Sequence, residues 1–313
     1  MKFGLQHPNF TYDGAGPEIV ESLRRLVTQA ERLGFDSFWV MDHFHQIGHV
    51  GQPHEPMLES WTTLSIVAGL ASRIKVGPLV TGNAYRHPSV LAKMGATLDV
   101  LSKGRLFMGV GAAWNQDEAV AYGIPFPPTI ERFRRLEEAV QIIRKMWTEE
   151  RATFQGRFYR IHEACCNPKP IQKTHPPILI GGSGEKETLK VVAKYGDACN
   201  LFGSPETVRK KLSVLRDHCA AVGRDYDSIL KTKLSSVMID KEKGAVEKRV
   251  AAAFKEMPEQ TRREFVTYGT PEEVRHQVEA LKQAGIEYLI VNLEPQRELE
   301  ALNLFADAVV SRL

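Results

Sequence analysis

Short apolar runs that do not alternate with polar residues constrain this chain most. ILIGG (178–182) and YLIVN (288–292) are apolar at almost every successive position. A strand can be so only when both of its faces are covered, as in a parallel sheet under helices. Parallel neighbours need a crossover, and the chain supplies segments of helical period between such runs. Strands are expected at Lys2–Gln6, Asp36–Met41, Ile74–Thr81, Arg105–Gly111, Pro177–Gly181, Asp197–Phe202, Ile229–Ile239 and Tyr288–Asn292. Helices are expected from about Pro17 to Leu33, then at Trp61–Ala71, Ser89–Leu101, Glu131–Thr148, Lys186–Tyr195, Pro205–Val222, Lys243–Phe254, Pro271–Ala284 and Leu299–Val310.

Eight strands, each followed by at least one helix, predict a (β/α)8 TIM barrel occupying residues 1–313 as one domain. A small hairpin, Thr153–His162, interrupts the alternation between strands four and five. An open doubly wound sheet with a small second domain is the runner-up. Pro78 stands inside VGPLVTGN, where a barrel strand would need its amide, so a bulge or irregular peptide is expected there.

Composition narrows the function classes. The net charge is +3, with Lys and Arg interspersed among Asp and Glu, and no basic tract points to nucleic acid. No uncharged run is long enough to span a bilayer, and the N-terminal MKFGLQHPNF turns polar too soon for a signal peptide. The four cysteines form no CxxC pair. A cytoplasmic location is expected.

Barrel enzymes place their chemistry at the C-terminal ends of the strands. Here those ends carry Asp42-His43, Thr81-Gly82-Asn83, Gly111-Ala112, Gly181-Gly182-Ser183, Asn200 and Asn292. GGSG (181–184) can let a ligand approach the backbone and hold an anion, or can be a plain tight turn with Ser183 capping a helix. GVGAAWN (109–115) begins like a dinucleotide fingerprint, but Trp114 stands where the third glycine should be and no helix is expected to follow at once. His43, His45, His49 and His54 with Asp42 raise the possibility of a metal centre, as in a barrel hydrolase. The other strand ends offer too few ligands to complete it, so no metal is expected. His43, next to its strand end, is the candidate for acid–base work, with Asp42 orienting it or facing the ligand.

Taken together, WVMDHF (39–44), LVTGNAYRHPSVLAK (79–93), RLFMGVGAAWNQDEAVAYGIPF (105–126), the segments 131–150 and 167–197, and GTPEEVRHQVEALKQAGIEYLIV (269–291) resemble the bacterial luciferase-like monooxygenase superfamily. The likeness is greatest to its branch using the 8-hydroxy-5-deazaflavin coenzyme F420; relatives use FMN. The resemblance implies a barrel with a flavin-like ring in its C-terminal mouth. Asp42 and His43 would lie at the ring, His43 near the hydride-accepting carbon, and Thr81 would hydrogen-bond the ring system. Gly111, Ala112 and Asn115 would line the cofactor; Gly181, Gly182 and Ser183 would hold its phosphate. A non-prolyl cis peptide at Pro78–Leu79 would back the ring, and the helices Trp61–Ala71 and Ser89–Leu101 would form a homodimer.

One departure bears on the substrate. Relatives that oxidise sugar phosphates carry a proton-transferring glutamate just after the fourth strand, where this chain has Trp114. Nor does a Lys/Arg set follow strand six, where Asn200, Leu201 and Phe202 stand. Phe10, Tyr12, Phe44, Met57, Trp61, Trp114 and Phe126 could instead form an apolar, aromatic cavity. The expected activity is hydride transfer between the deazaflavin and an apolar or aromatic small molecule. The alternatives are an FMN-dependent monooxygenase using dioxygen, a metal-dependent barrel hydrolase, and a cofactor-binding protein without turnover.

Overall fold

The computed structural model describes residues 1–11, 16–48 and 50–313. The alternation begins with β1 (Lys2–His7), α1 (Gly16–Arg32), β2 (Ser37–Val40), α2 (Ser60–Leu70) and β3 (Lys75–Pro78). Next come β4 (Thr81–Gly82), α3 (Pro88–Leu101), β5 (Met108–Gly111), α4 (Gln116–Ala121) and α5 (Thr129–Thr148). An antiparallel hairpin of β6 (Ala152–Gln155) and β7 (Arg160–Ala164) precedes β8 (Ile178–Gly181), α6 (Thr188–Tyr195), β9 (Ala198–Leu201) and α7 (Pro205–Ala221). The rest is β10 (Leu230–Ile239), α8 (Lys243–Ala253), α9 (Glu259–Phe265), β11 (Val266–Gly269), α10 (Pro271–Gln283), β12 (Tyr288–Leu293) and α11 (Glu298–Phe305).

The large sheet runs β3-β2-β1-β12-β10-β9-β8-β5-β4, with every pair of neighbours parallel. β3 and β4 are the halves of one stave. A bridge between Val76 and Leu106 ties it to the segment entering β5, so eight staves close into a barrel. The expected fold and the hairpin after the fourth stave are both present.

Several local expectations are corrected. The third stave breaks after Pro78, as its missing amide suggests, but the non-prolyl cis bond lies at Leu79–Val80, one residue later than expected. The Pro78 carbonyl turns toward β5 instead: a Cβ on Gly109 would lie 1.9 Å from its oxygen, so only glycine fits opposite. α4 does follow Asn115 at once; its side chain caps the helix by accepting from the Glu118 amide at 3.3 Å. α6 begins at Thr188 rather than Lys186, without a side-chain cap. β11 and α9 were not expected. β11 pairs with the far half of β10, beyond the stretch paired to β9, and so raises the wall there.

The barrel interior is plugged near the N-terminal ends of the strands. Trp39, Phe107 and Tyr288 are buried together, with ring centroids 5.3 Å apart for Trp39–Phe107 and 6.3 Å for Phe107–Tyr288. Leu79, Leu179, Ala198 and Ile290 complete this inner cluster. A separate and larger apolar layer joins the outer faces of the strands to the helices. Farther along the same inner faces, Val80, Gly181, Leu234, Ser236 and Asn292 are only half-buried. The barrel is therefore packed at one end and open at the other, the end where strand C-termini present side chains.

Candidate active site

β2 delivers Asp42 and His43 to the open end, but into different surroundings. Asp42 is buried and takes a bidentate grip from Arg86, at 2.6 Å (Nη1 to Oδ2) and 3.1 Å (Nη2 to Oδ1). Arg86 also donates to Glu59, whose carboxylate caps α2 through the Trp61 and Thr62 amides. Burial pushes the Asp42 carboxyl up, opposed by the hydrogen bonds from Arg86 and Thr81. Thr81, fully buried, also accepts from the Trp61 indole at 3.0 Å. Asp42 and Thr81 are thus brought together in a buried network.

His43 turns the other way. Its Nδ1 lies 2.8 Å from Oε2 of Glu118, a carboxylate with no exposure at all. The Tyr85 hydroxyl donates to the same oxygen at 2.6 Å, and the Phe44 amide donates to Oε1 at 2.6 Å. Burial alone would push the Glu118 carboxyl up; the bonds from His43, Tyr85 and Phe44 outweigh it and hold the group below the ordinary carboxylate range. Burial, then the neighbouring Glu118, pushes the Tyr85 phenol up, so it remains a donor. The His43 ring meets Trp114 edge-on, centroids 5.6 Å apart, and Trp114 is 59% exposed.

The remaining expected positions form the floor and far wall. Pro78 and Leu79 precede the cis bond, and Leu79 belongs to the inner cluster. Val80 projects across to Gly111 and Gly181: a Cβ on Gly181 would lie 2.6 Å from its Cγ2, and one on Gly111 2.9 Å from it. These two glycines admit Val80 as a central floor residue. Ala112 is buried beside Ala113, whose φ is 61°, and Asn115 is occupied with capping α4. Gly182 has φ 108°, and the Ser183 hydroxyl accepts from the Lys211 ammonium at 3.0 Å.

Several expected positions lie elsewhere. His45 bonds to the Gln46 carbonyl through Nδ1 at 2.9 Å, His54 is exposed, and His49 and Tyr12 fall outside the described residues. Among the described residues no group of three or more His, Cys, Asp or Glu is placed to hold a metal. Phe10 packs edge-on against His7 in the core, and Trp61 is buried against Thr81. Phe44, Met57 and Phe126 are half-buried, with Phe44 stacked between Tyr85 and Tyr122.

Sequence reasoning missed Glu118, Tyr85, Arg86 and Lys211. Asn115 and Glu118 have the spacing of a capping box, the one local signal for this carboxylate, yet its side chain reaches His43 instead of the cap. Lys211 comes from the middle of α7 and also donates to the Phe202 carbonyl at 2.8 Å. Nearby, Lys233 is buried in β10, donating to the Leu234 and Glu264 carbonyls at 3.1 and 3.3 Å. Burial pulls its ammonium down to about 8 and also lowers that of Lys211. α7, the helix that follows the sixth stave, and β10 thus bring lysines to this side, where the residues at the strand end itself offered no Lys/Arg set.

Known proteins resemble this chain over most of its length. The family model for luciferase-like monooxygenases matches residues 1–254. An F420-dependent glucose-6-phosphate dehydrogenase of Kineococcus radiotolerans is 31% identical, covering 93% of this chain and 92% of that protein. Another, from Microbacterium testaceum, is 35% identical over 66% of this chain and 61% of its own length. Among solved structures, the coenzyme F420 dependent tetrahydromethanopterin reductase of Methanopyrus kandleri superposes with a TM-score of 0.81 at 20% identity, over 99% of this chain and 98% of the other. An F420-dependent secondary alcohol dehydrogenase gives 0.82 at 19% identity, again over 99% and 98%. At these identities the structural likeness speaks for the fold.

Proposed function

The chain belongs to the luciferase-like monooxygenase family, and from that premise we propose that it is an F420-dependent oxidoreductase acting on an apolar or aromatic small molecule. One observation carries the reading: a histidine gripped from behind by a buried carboxylate stands beside an exposed tryptophan at the open end of the barrel. The F420-dependent names of its relatives support the choice of coenzyme.

The residues present fit a flat ring with an anionic tail. Leu79, Val80 and Leu234 offer an apolar floor, while Ser183 and Lys211, beside the left-handed Gly182, offer an anion-binding end. Coenzyme F420, when bound, would supply two-electron hydride chemistry. The chain's own part is to orient the substrate, keep water away and move one proton. Among the described residues the second ring nitrogen of His43, Nε2, has no hydrogen-bond partner, and it takes or returns that proton. Trp114 gives the substrate an aromatic wall where a proton-transferring side chain would favour a sugar phosphate.

Residues 1–313 act as one barrel unit, in the cytoplasm, without nucleic acid or membrane partners. Among the described residues no helix is long and apolar enough to cross a membrane. The protein pairs as a homodimer through α2 and α3, whose outer faces leave Ile66, Val90 and Leu101 more than half exposed. Sedimentation of wild type and Ile66→Asp tests this, and a monomeric wild type would refute it.

Titrating the purified protein with coenzyme F420 and with FMN tests the main reading. Tighter F420 binding is expected. Clearly tighter FMN binding would instead favour the dioxygen-using alternative, and preferential oxidation of glucose 6-phosphate over aromatic or aliphatic substrates would overturn the substrate class.

A further inference from the structure

We propose that Glu118 is the positioning residue of the reaction centre: its buried carboxylate fixes His43 as the Nδ1–H tautomer and leaves Nε2 to face the substrate. The inference rests on the reading of His43 as the proton-transfer group.

An unpaired carboxylate this deeply buried would be costly, so its partners define what it is for. Glu118 takes three close donors from two strand-end loops: His43 Nδ1 (2.8 Å) and the Phe44 amide (2.6 Å) after β2, and the Tyr85 hydroxyl (2.6 Å) after β4. Phe44 and Tyr85 are half-buried, and both give their protons to this one carboxylate. An ionised carboxylate only accepts, so the His43 nitrogen facing it must carry a proton. Neutral His43 then has its lone pair on Nε2, and the carboxylate also faces the ring when both nitrogens are protonated. This arrangement defines which nitrogen exchanges a proton with substrate.

Glu118 does not itself touch the substrate. Its side chain has no exposure, and His43 and Tyr85 stand around it. One N–H bond at Nε2 forms or breaks as the matching bond to substrate breaks or forms, while the Nδ1 proton stays in place. Simple structural bracing would need donors from the two loops, but not a ring nitrogen of His43, which meets exposed Trp114 edge-on.

The test is the nitrogen-15 spectrum of His43 in coenzyme-free protein labelled at histidine, with the signals assigned by their loss in His43→Ala. The expected wild-type pattern for the neutral ring is protonated Nδ1 and bare Nε2. In Glu118→Gln the amide cannot accept from both Phe44 and His43, so a mixed or inverted tautomer is expected. Hydride transfer should fall on the order of a hundredfold, with coenzyme affinity within about threefold of wild type. Tyr85→Phe, which removes one donor and leaves the carboxylate, should keep the wild-type tautomer. An Nε2–H pattern in wild type overturns the proposal even if Glu118→Gln does not fold, as does an unchanged pattern in a folded Glu118→Gln. The wild-type tautomer is read without coenzyme, so its outcome is separate from the choice between F420 and FMN.

Discussion

The two sides of the barrel mouth treat buried charge in opposite ways. On the β2–β5 side the buried charges of the described residues meet close partners: Asp42 meets Arg86, Arg86 also meets Glu59, and Glu118 meets His43, Tyr85 and the Phe44 amide. On the β8–β10 side Lys211 and Lys233 make close contacts mainly with carbonyl oxygens and the Ser183 hydroxyl; Glu264 attracts both, without closing a direct ion pair. Burial lowers both ammonium pKa values, just as it raises the Asp42 carboxyl; the difference is that Asp42 has Arg86 at 2.6 Å, whereas among the described residues neither lysine has a carboxylate at ion-pair distance. The first side is organised without a ligand; the second, on the function proposed above, would be completed by the anionic tail of the coenzyme. A proton-handling side chain needs a fixed geometry, whereas an anion-binding end gains from charge that its ligand neutralises.

Substitutions on the two sides should therefore differ in kind and in sign. The largest effect is expected from His43→Ala, which should lower turnover by roughly 10²–10⁴-fold, measured at saturating coenzyme. A rate within a few-fold of wild type would remove His43 from proton transfer. Arg86→Met should follow, because it leaves the Asp42 carboxylate buried and unpaired; a loss of about 3–5 kcal/mol in denaturant unfolding is expected. An unchanged midpoint would mean that the matched side is not held by its charges.

Lys233→Met should act in the reverse direction. The Lys233 ammonium titrates at about 8 in the fold, against about 10.4 in an unfolded chain. Between those values the unfolded state binds more protons, so the stability of the wild type rises with pH across that window. Below pH 8 the burial penalty is fully present, on the order of 3 kcal/mol. The variant should be the more stable protein at pH 7, and its advantage should shrink as pH climbs from about 8 toward 10.4. Destabilisation at pH 7 would show instead that Lys233 is already compensated in the free protein.

What could be read beforehand follows the same division between local and distant causes. The strand β8 and most of β12 were legible because burial on both faces leaves an uninterrupted apolar run. The break after Pro78 was legible because proline lacks the ladder donor. β11 (VTYG) was not, since four residues directly after a helix carry no period to count. His43 was visible because it follows its strand at once. Glu118 was hidden because the group it grips lies 75 residues earlier in the chain, and its position three residues after Asn115 has a sufficient local explanation as a helix start. Lys211 was hidden for a related reason: on α7 it is one more polar residue of an amphipathic helix, and only the packing of that helix brings it to Ser183.

The division of the mouth is tested most directly by coenzyme F420 affinity, measured by fluorescence titration on Lys211→Ala and His43→Ala together. Lys211→Ala is expected to weaken binding by about tenfold or more, near 1.4 kcal/mol, with a weaker salt dependence than wild type. His43→Ala is expected to bind within about threefold of wild type. The reverse pattern, with Lys211→Ala binding as wild type does and His43→Ala losing affinity, would contradict the account.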